Sequence, residues 1–242
     1  MRFRLITYNI HKGIGGVDRR YRPQRIVETL EHYAPDIVLM QEVDDGVPRS
    51  HRDPQVELLG DALGLKYRAF QPNVRLRQGR YGNAILSRFP LSDITDIELT
   101  IPLKKRRRAL AARCHVPVNG HARTLVLFNM HLGLAGFERI MQLRRFLANE
   151  MFTHTHRGTA LIAGGDLNDV WGTLGRRILE PAGLAAASGL LHTFPAIRPL
   201  RPLDRLYFRG SLAVRHCFPS RIKIARRASD HLPVIAEFEM LS

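Results

Sequence analysis

Six apolar stretches of this 242-residue chain end on a side chain that can do chemistry. Asn9 closes the run in ITYNIHKG, Glu42 closes DIVLMQEVD, and His131 closes LVLFNMHLG. Asp166 and Asn168 follow the run in LIAGGDLND, Asp204 opens LDRLYF, and Asp230 and His231 precede the run in SDHLPVIAEF. One Asp or Asn after an apolar run is ordinarily a turn residue. Six ends carrying carboxylates, amides and imidazoles suggest a common rim, where loops build binding and catalytic sites. Carboxylate and amide oxygens in a chain with only two cysteines make a hard-oxygen site suited to Mg²⁺ or Mn²⁺. Imidazoles beside carboxylates add charge stabilisation and proton transfer. The chain has no G-x-S-x-G elbow, no P-loop and no H-E-x-x-H helix, and GIGG at 13–16 lacks the rest of a dinucleotide fingerprint. Metal-assisted hydrolysis of a phosphate ester fits these residues.

The elements that must position these side chains are legible as short runs of Ile, Val, Leu, Phe and Tyr bounded by Gly, Pro, Asn or Asp. Strands are expected at 2–8, 36–41, 81–87, 109–116, 124–130, 160–163, 203–208 and 232–238. Helical spacing places Ile26, Val27 and Leu30 on one face of 23–33 and Ile140, Leu143, Leu147 and Met151 on one face of 137–150. A third helix is expected over 55–63. The order begins strand, helix, strand, helix, then runs through several strands before returning to a helix. That order suits two packed sheets with helices outside better than a Rossmann or barrel pattern. With no repeat, linker or composition break, one domain over 1–242 is expected.

Composition narrows the classes further. At 45% hydrophobic and 24% charged residues the chain is globular, and no apolar run approaches the length of a membrane span. The N-terminus reads as a strand without a signal-peptide core, which makes the cytoplasm the default compartment. Net charge is +15, and 32 of the 37 basic residues are arginine, so a polyanionic partner is favoured: a phosphorylated substrate, nucleic acid or an anionic membrane surface.

The ordered set TYNIHKG, LMQEVD, YGNAILSRFP, NMHLG, GGDLND, LDRLYF and SDHLPV resembles the endonuclease/exonuclease/phosphatase superfamily from residue 5 to about 238. The resemblance implies a DNase I-like four-layer α/β sandwich, two mixed β-sheets face to face with helices outside. It also implies roles. Glu42 is the principal Mg²⁺ ligand with Asn9 beside it, and Asp230 completes the metal or its supporting network. Asp166 orients or deprotonates the attacking water, and Asn168 holds a phosphate oxygen or the nucleophile. His231, directed by Asp204, stabilises negative charge developing on phosphorus, and His131 contacts the phosphate.

Departures from the family pattern bear on the substrate. NMHLG stands where the apurinic-site endonucleases carry Y-x-P-N/Q. The DNase I type pairs its His with a mid-chain Glu, but no acidic residue lies between Asp61 and Asp93, and Asn83 is expected to fill part of that role. The NIHKG and HLGL segments resemble a small bacterial branch of metal-dependent hydrolases. The expected activity is therefore a Mg²⁺-dependent phosphodiesterase acting on a small or membrane-lipid phosphodiester, with a DNA or RNA nuclease as the alternative. A catalytically idle, Arg-rich module binding anions or nucleic acid is the alternative of another class. A membrane-working enzyme would use Arg106–Arg108 and Arg221–Arg227 against anionic lipid. Among residues outside the motifs, His11 reads as capping its loop, Trp171 and Phe194 as core, the cysteines as small buried residues, and His154 and His156 as surface.

Overall fold

The computed structural model describes residues 1–241. Twelve strands form two six-stranded sheets. The first contains β1 (Arg2–Asn9), β2 (Ile37–Asp45), β3 (Tyr67–Arg75), β4 (Arg80–Ser87), β11 (Leu212–Pro219) and β12 (Val234–Met240), in the order β11-β12-β1-β2-β4-β3. The second contains β5 (Leu91–Glu98), β6 (Arg108–Val118), β7 (His121–His131), β8 (Ala160–Asp166), β9 (Ala185–Ala186) and β10 (Asp204–Arg209), in the order β5-β6-β7-β8-β10-β9.

The two orders follow one plan. Each sheet has one parallel pair, β1 with β2 and β7 with β8, and every other pairing is antiparallel. Antiparallel neighbours can be joined by a tight turn, whereas a parallel pair needs a crossover, usually helical. Here α1 (Gln24–Tyr33) lies between β1 and β2, and α3 (Gly136–Leu147) lies between β7 and β8. Three shorter helices, α2 (Gln55–Ala62), α4 (Glu150–Thr153) and α5 (Ala225–Ala228), complete the set.

The apolar residues sort by strand parity into three cores, which is the four-layer arrangement expected from the sequence. Leu5, Leu39, Leu127 and Ile162 pack between the sheets. Ile6 and Val38 turn outward onto Ile26 and Leu30 of α1. Val126 and Phe128 turn outward onto Leu143 and Phe146 of α3. A strand buried on both faces reads as a continuous apolar run. One polar pin crosses the central layer: Gln41 Nε2 donates to Asn129 Oδ1 at 2.7 Å, and Asn129 Nδ2 donates to the Met40 and Ala84 carbonyls at 2.8 and 2.9 Å. No described helix is long and apolar enough to cross a membrane.

Candidate active site

The duplicated plan brings the chemistry to one rim. Asn9 and Glu42 belong to the C-terminal ends of β1 and β2, and His131 and Asp166 end β7 and β8. The antiparallel neighbours run the opposite way, so their beginnings arrive at the same edge: Asp204 pairs in register with Asp166, and His231 leads into β12 beside β1. All of these residues except Asp204 line a cleft of about 1020 Å³, and Asp204 is buried directly behind His231.

Asp166 is the centre of the cluster. Its Oδ2 accepts from Asn9 Nδ2 at 2.9 Å and lies 3.4 Å from His131 Nε2 and 3.8 Å from His231 Nε2. Its Oδ1 accepts the Asn168 backbone N–H at 2.9 Å. Asn168 is held at φ +50° while its Nδ2 donates to the Leu132 carbonyl at 2.9 Å. Gly165, immediately before, has φ +132°, and a Cβ there would stand 2.0 Å from the Met130 carbonyl oxygen. Only glycine fits where β8 passes that close to β7.

Glu42 reaches the cleft through a β-bulge. Met40 pairs with Ala84 and Val43 with Gly82, leaving Gln41 and Glu42 opposite the single residue Asn83. Glu42 takes φ +58°. Bulges re-aim a side chain, and a non-glycine residue held left-handed is characteristic of functional sites. Lys12, itself at φ +61°, donates its ammonium to Glu42 Oε2. Burial opposes ionisation of Glu42, but the charges of His131 and Lys12 outweigh it and hold the carboxyl down at about 2. The Tyr81 phenol is pushed well above its ordinary range by burial and by Glu42.

The two imidazoles are driven apart. Burial, reinforced by the Arg107 charge, pushes His131 down to about 4. Burial also disfavours a charged His231, but Asp204 and Asp166 outweigh it and lift that imidazole to about 10. Their surroundings therefore favour the neutral form of His131 and the charged form of His231. His231 Nδ1 lies 2.8 Å from Asp204 Oδ2, which also accepts the Thr193 hydroxyl at 2.5 Å. The Phe194 ring packs over the imidazole with centroids 5.0 Å apart.

The donor set fits a hard divalent cation. Ligand atoms of Asp166, Asp204 and His231 lie within 4.8 Å of one another, but Asp204 and His231 are already bonded to each other. The carboxylate and amide side chains lining the cleft are those of Glu42, Asp166, Asn9 and Asn168, the chemistry such ions select.

Other expected residues lie elsewhere. Asp230 does not line the cleft; its Oδ1 shares the Ser229 hydroxyl with the Asn9 carbonyl and lies 3.8 Å from His11 Nδ1. Asn83 does not partner His131: it is fully buried and donates to Gln71 and to the Arg108 carbonyl. His11 caps its loop through the Ile14 carbonyl at 2.8 Å. The core expectation fails for Trp171, which is 78% exposed, and for Phe194, which lines the cleft. His154 and His156 are exposed, as expected. Lys12, Tyr81 and Arg49 escaped the sequence reading, and Arg107, expected there only within a basic run against lipid, lines the cleft; the HKG turn just after Asn9 was the one available signal for Lys12.

Known proteins resemble this chain in sequence and in fold. A sequence profile described as "Endonuclease/Exonuclease/phosphatase family" matches residues 6–231. The "Uncharacterized protein YbhP" of Escherichia coli (strain K12) is 28% identical over a 256-residue alignment that covers 98% of this chain and 96% of that protein. Among solved structures, an endonuclease/exonuclease/phosphatase from Beutenbergia cavernae has a TM-score of 0.81 at 23% identity, covering 100% of this chain and 72% of its own. The human Nocturnin catalytic domain has a TM-score of 0.76 at 23% identity, covering 99% and 93%. Both structural likenesses speak to the fold.

Proposed function

Because this chain belongs to the endonuclease/exonuclease/phosphatase family, whose members hydrolyse phosphate ester bonds, we propose that it is a Mg²⁺- or Mn²⁺-dependent phosphodiesterase acting on a small or membrane-lipid phosphodiester. The observation that carries this reading is the convergence of Asp166 with Asn9, His131 and the Asp204-bonded His231 on the floor of a cation-walled cleft that Glu42 also lines.

Asp166, fixed by Asn9 and by the Asn168 N–H, orients the attacking water and draws its proton. His231, kept cationic by Asp204, stabilises the charge that develops on the phosphoryl oxygens, where preorganised donors act most strongly. Neutral His131 and the Asn168 side chain hold the phosphate. Glu42 and Asn9 would hold the metal, with Asp230 supporting Asn9 through Ser229. When bound, the ion supplies Lewis-acid neutralisation of the phosphate oxygens. Lys12, Arg49, Lys105, Arg106, Arg107 and Arg201 line the same cleft and suit an anionic substrate, while Leu134, Val170 and Phe194 give it apolar wall.

The cationic wall also supports the second reading, a nuclease. A Mg²⁺-dependent screen separates the two, with bis-p-nitrophenyl phosphate, p-nitrophenyl phosphate, plasmid, single-stranded DNA, RNA, and anionic and zwitterionic phospholipids. Asp166→Ala serves as the contamination control. Diester cleavage lost in Asp166→Ala is the expected result. Rapid plasmid degradation lost in the same variant favours the nuclease, and inactivity on every substrate favours a binding module.

A further inference from the structure

Large apolar side chains that escape burial gather around the mouth of the cleft. Leu134 is exposed and lines the cleft itself. Trp171, Leu190 and Leu200 are exposed around a neighbouring hollow that shares Val170 and Arg201 with the cleft wall. On another side, Leu103 is fully exposed at φ +64°, leading the basic run whose Lys105 and Arg106 line the cleft. The next residue, Lys104, places its ammonium 5.2 Å from the ring centre of Phe137, also exposed, near the start of α3.

Leu103 projects its whole side chain into solvent from a backbone conformation that bulky residues rarely adopt, and apolar tips gathered at one place mark an interaction surface. The same tips are interleaved with Lys104, Lys105, Arg106 and Arg201, on a chain of net charge +15. Most of the apolar tips are leucines, which offer no face for stacking bases, so the set fits the boundary between headgroups and acyl chains better than a nucleic-acid strand. None of the other basic cluster, residues 221–227, lines the cleft, and the Arg227 carbonyl accepts from Arg25 of α1. Arg108 is tied to Asp96 and Glu98.

We propose that this rim docks the protein on an anionic lipid bilayer, with the cleft opening toward the membrane. The apolar tips enter the boundary region, and the lysines and arginines between them meet the anionic headgroups.

Trp171 is the single tryptophan of the chain and stands on the rim, so its emission is a built-in probe. Whole protein is mixed, without added metal, with phosphatidylcholine vesicles, with vesicles also containing phosphatidylglycerol, and with a single-stranded oligonucleotide. We expect a blue shift, and quenching by brominated acyl chains, with the phosphatidylglycerol vesicles alone. Cosedimentation should fall about tenfold or more in Leu103→Ser/Phe137→Ser and in Lys104→Glu. Both variants should keep the wild-type kcat on saturating soluble bis-p-nitrophenyl phosphate and wild-type circular dichroism. The proposal is overturned by an unchanged emission with every vesicle, by equal binding to both vesicle types, by undiminished binding of the variants, or by a shift produced only by the oligonucleotide. None of the binding readouts involves metal or turnover, so they stand or fall separately from the hydrolase reading.

Discussion

Glu42 and His231 carry the sharpest consequences at the scale of single residues. Glu42 sits on a bulge at φ +58° with Lys12 on its carboxylate, an arrangement that holds a negative charge ready for a stronger cation. Glu42→Ala is expected to keep the fold and to weaken Mg²⁺ or Mn²⁺ binding by more than about tenfold, since even indirect partners of metal ligands contribute that much. Calorimetry giving equal metal affinity in wild type and variant would remove Glu42 from the site. His231 is raised from an ordinary 6.5 to about 10, so its charged form stabilises the fold fully below the unfolded value. That contribution is lost as the pH climbs from about 6.5 through 10. Asp204→Asn is expected to lower the His231 midpoint in an NMR titration and to move the alkaline limb of the activity profile to lower pH. A midpoint unmoved by Asp204→Asn would contradict the pairing.

At the scale of elements, the Gln41–Asn129 pin determines how the two sheets seat on one another. Asn129 serves two carbonyls and one amide from the opposite sheet in a fully buried layer. Asn129→Ala is expected to cost about 2–4 kcal/mol, the penalty of buried carbonyls left unpaired. Urea unfolding should show a lower midpoint at unchanged slope. The same scale explains which strands the sequence concealed. All eight strands expected from it are interior strands, and the four it hid (β3, β5, β9 and β11) are the edges of the two sheets. Interior strands are buried on both faces and must be continuously apolar. An edge strand tolerates Pro72 in β3, the polar alternation of LSDITDIE in β5, or Arg215 and His216 in β11.

For the whole molecule, the consequence is electrostatic. A net charge of +15 with six basic side chains on the cleft wall should concentrate anionic substrates at the site. The ratio kcat/KM on an anionic diester is expected to fall about tenfold between low salt and about 0.5 M, as screening shortens the reach of the wall. Lys105→Ala/Arg106→Ala should flatten that dependence. An unaltered salt slope in the double variant would show that these cations do not steer substrate.

What the sequence determined by itself was the frame and its bearing on one rim: interior strands, helical faces, and the polar residues that close or open each strand. Those signals are local, because a side chain's face follows from strand parity and a strand end from its turn chemistry. Tertiary structure alone decided which groups meet across the cleft. Lys12 reaches Glu42 from 30 positions away, burial and then Arg107 hold down His131, and Asn83 turns into the central layer. It also decided that two histidines of the same intrinsic basicity are driven apart, and that Trp171 faces outward. Charge and burial at a site depend on neighbours brought together by sheet register, and no local run of residues encodes them.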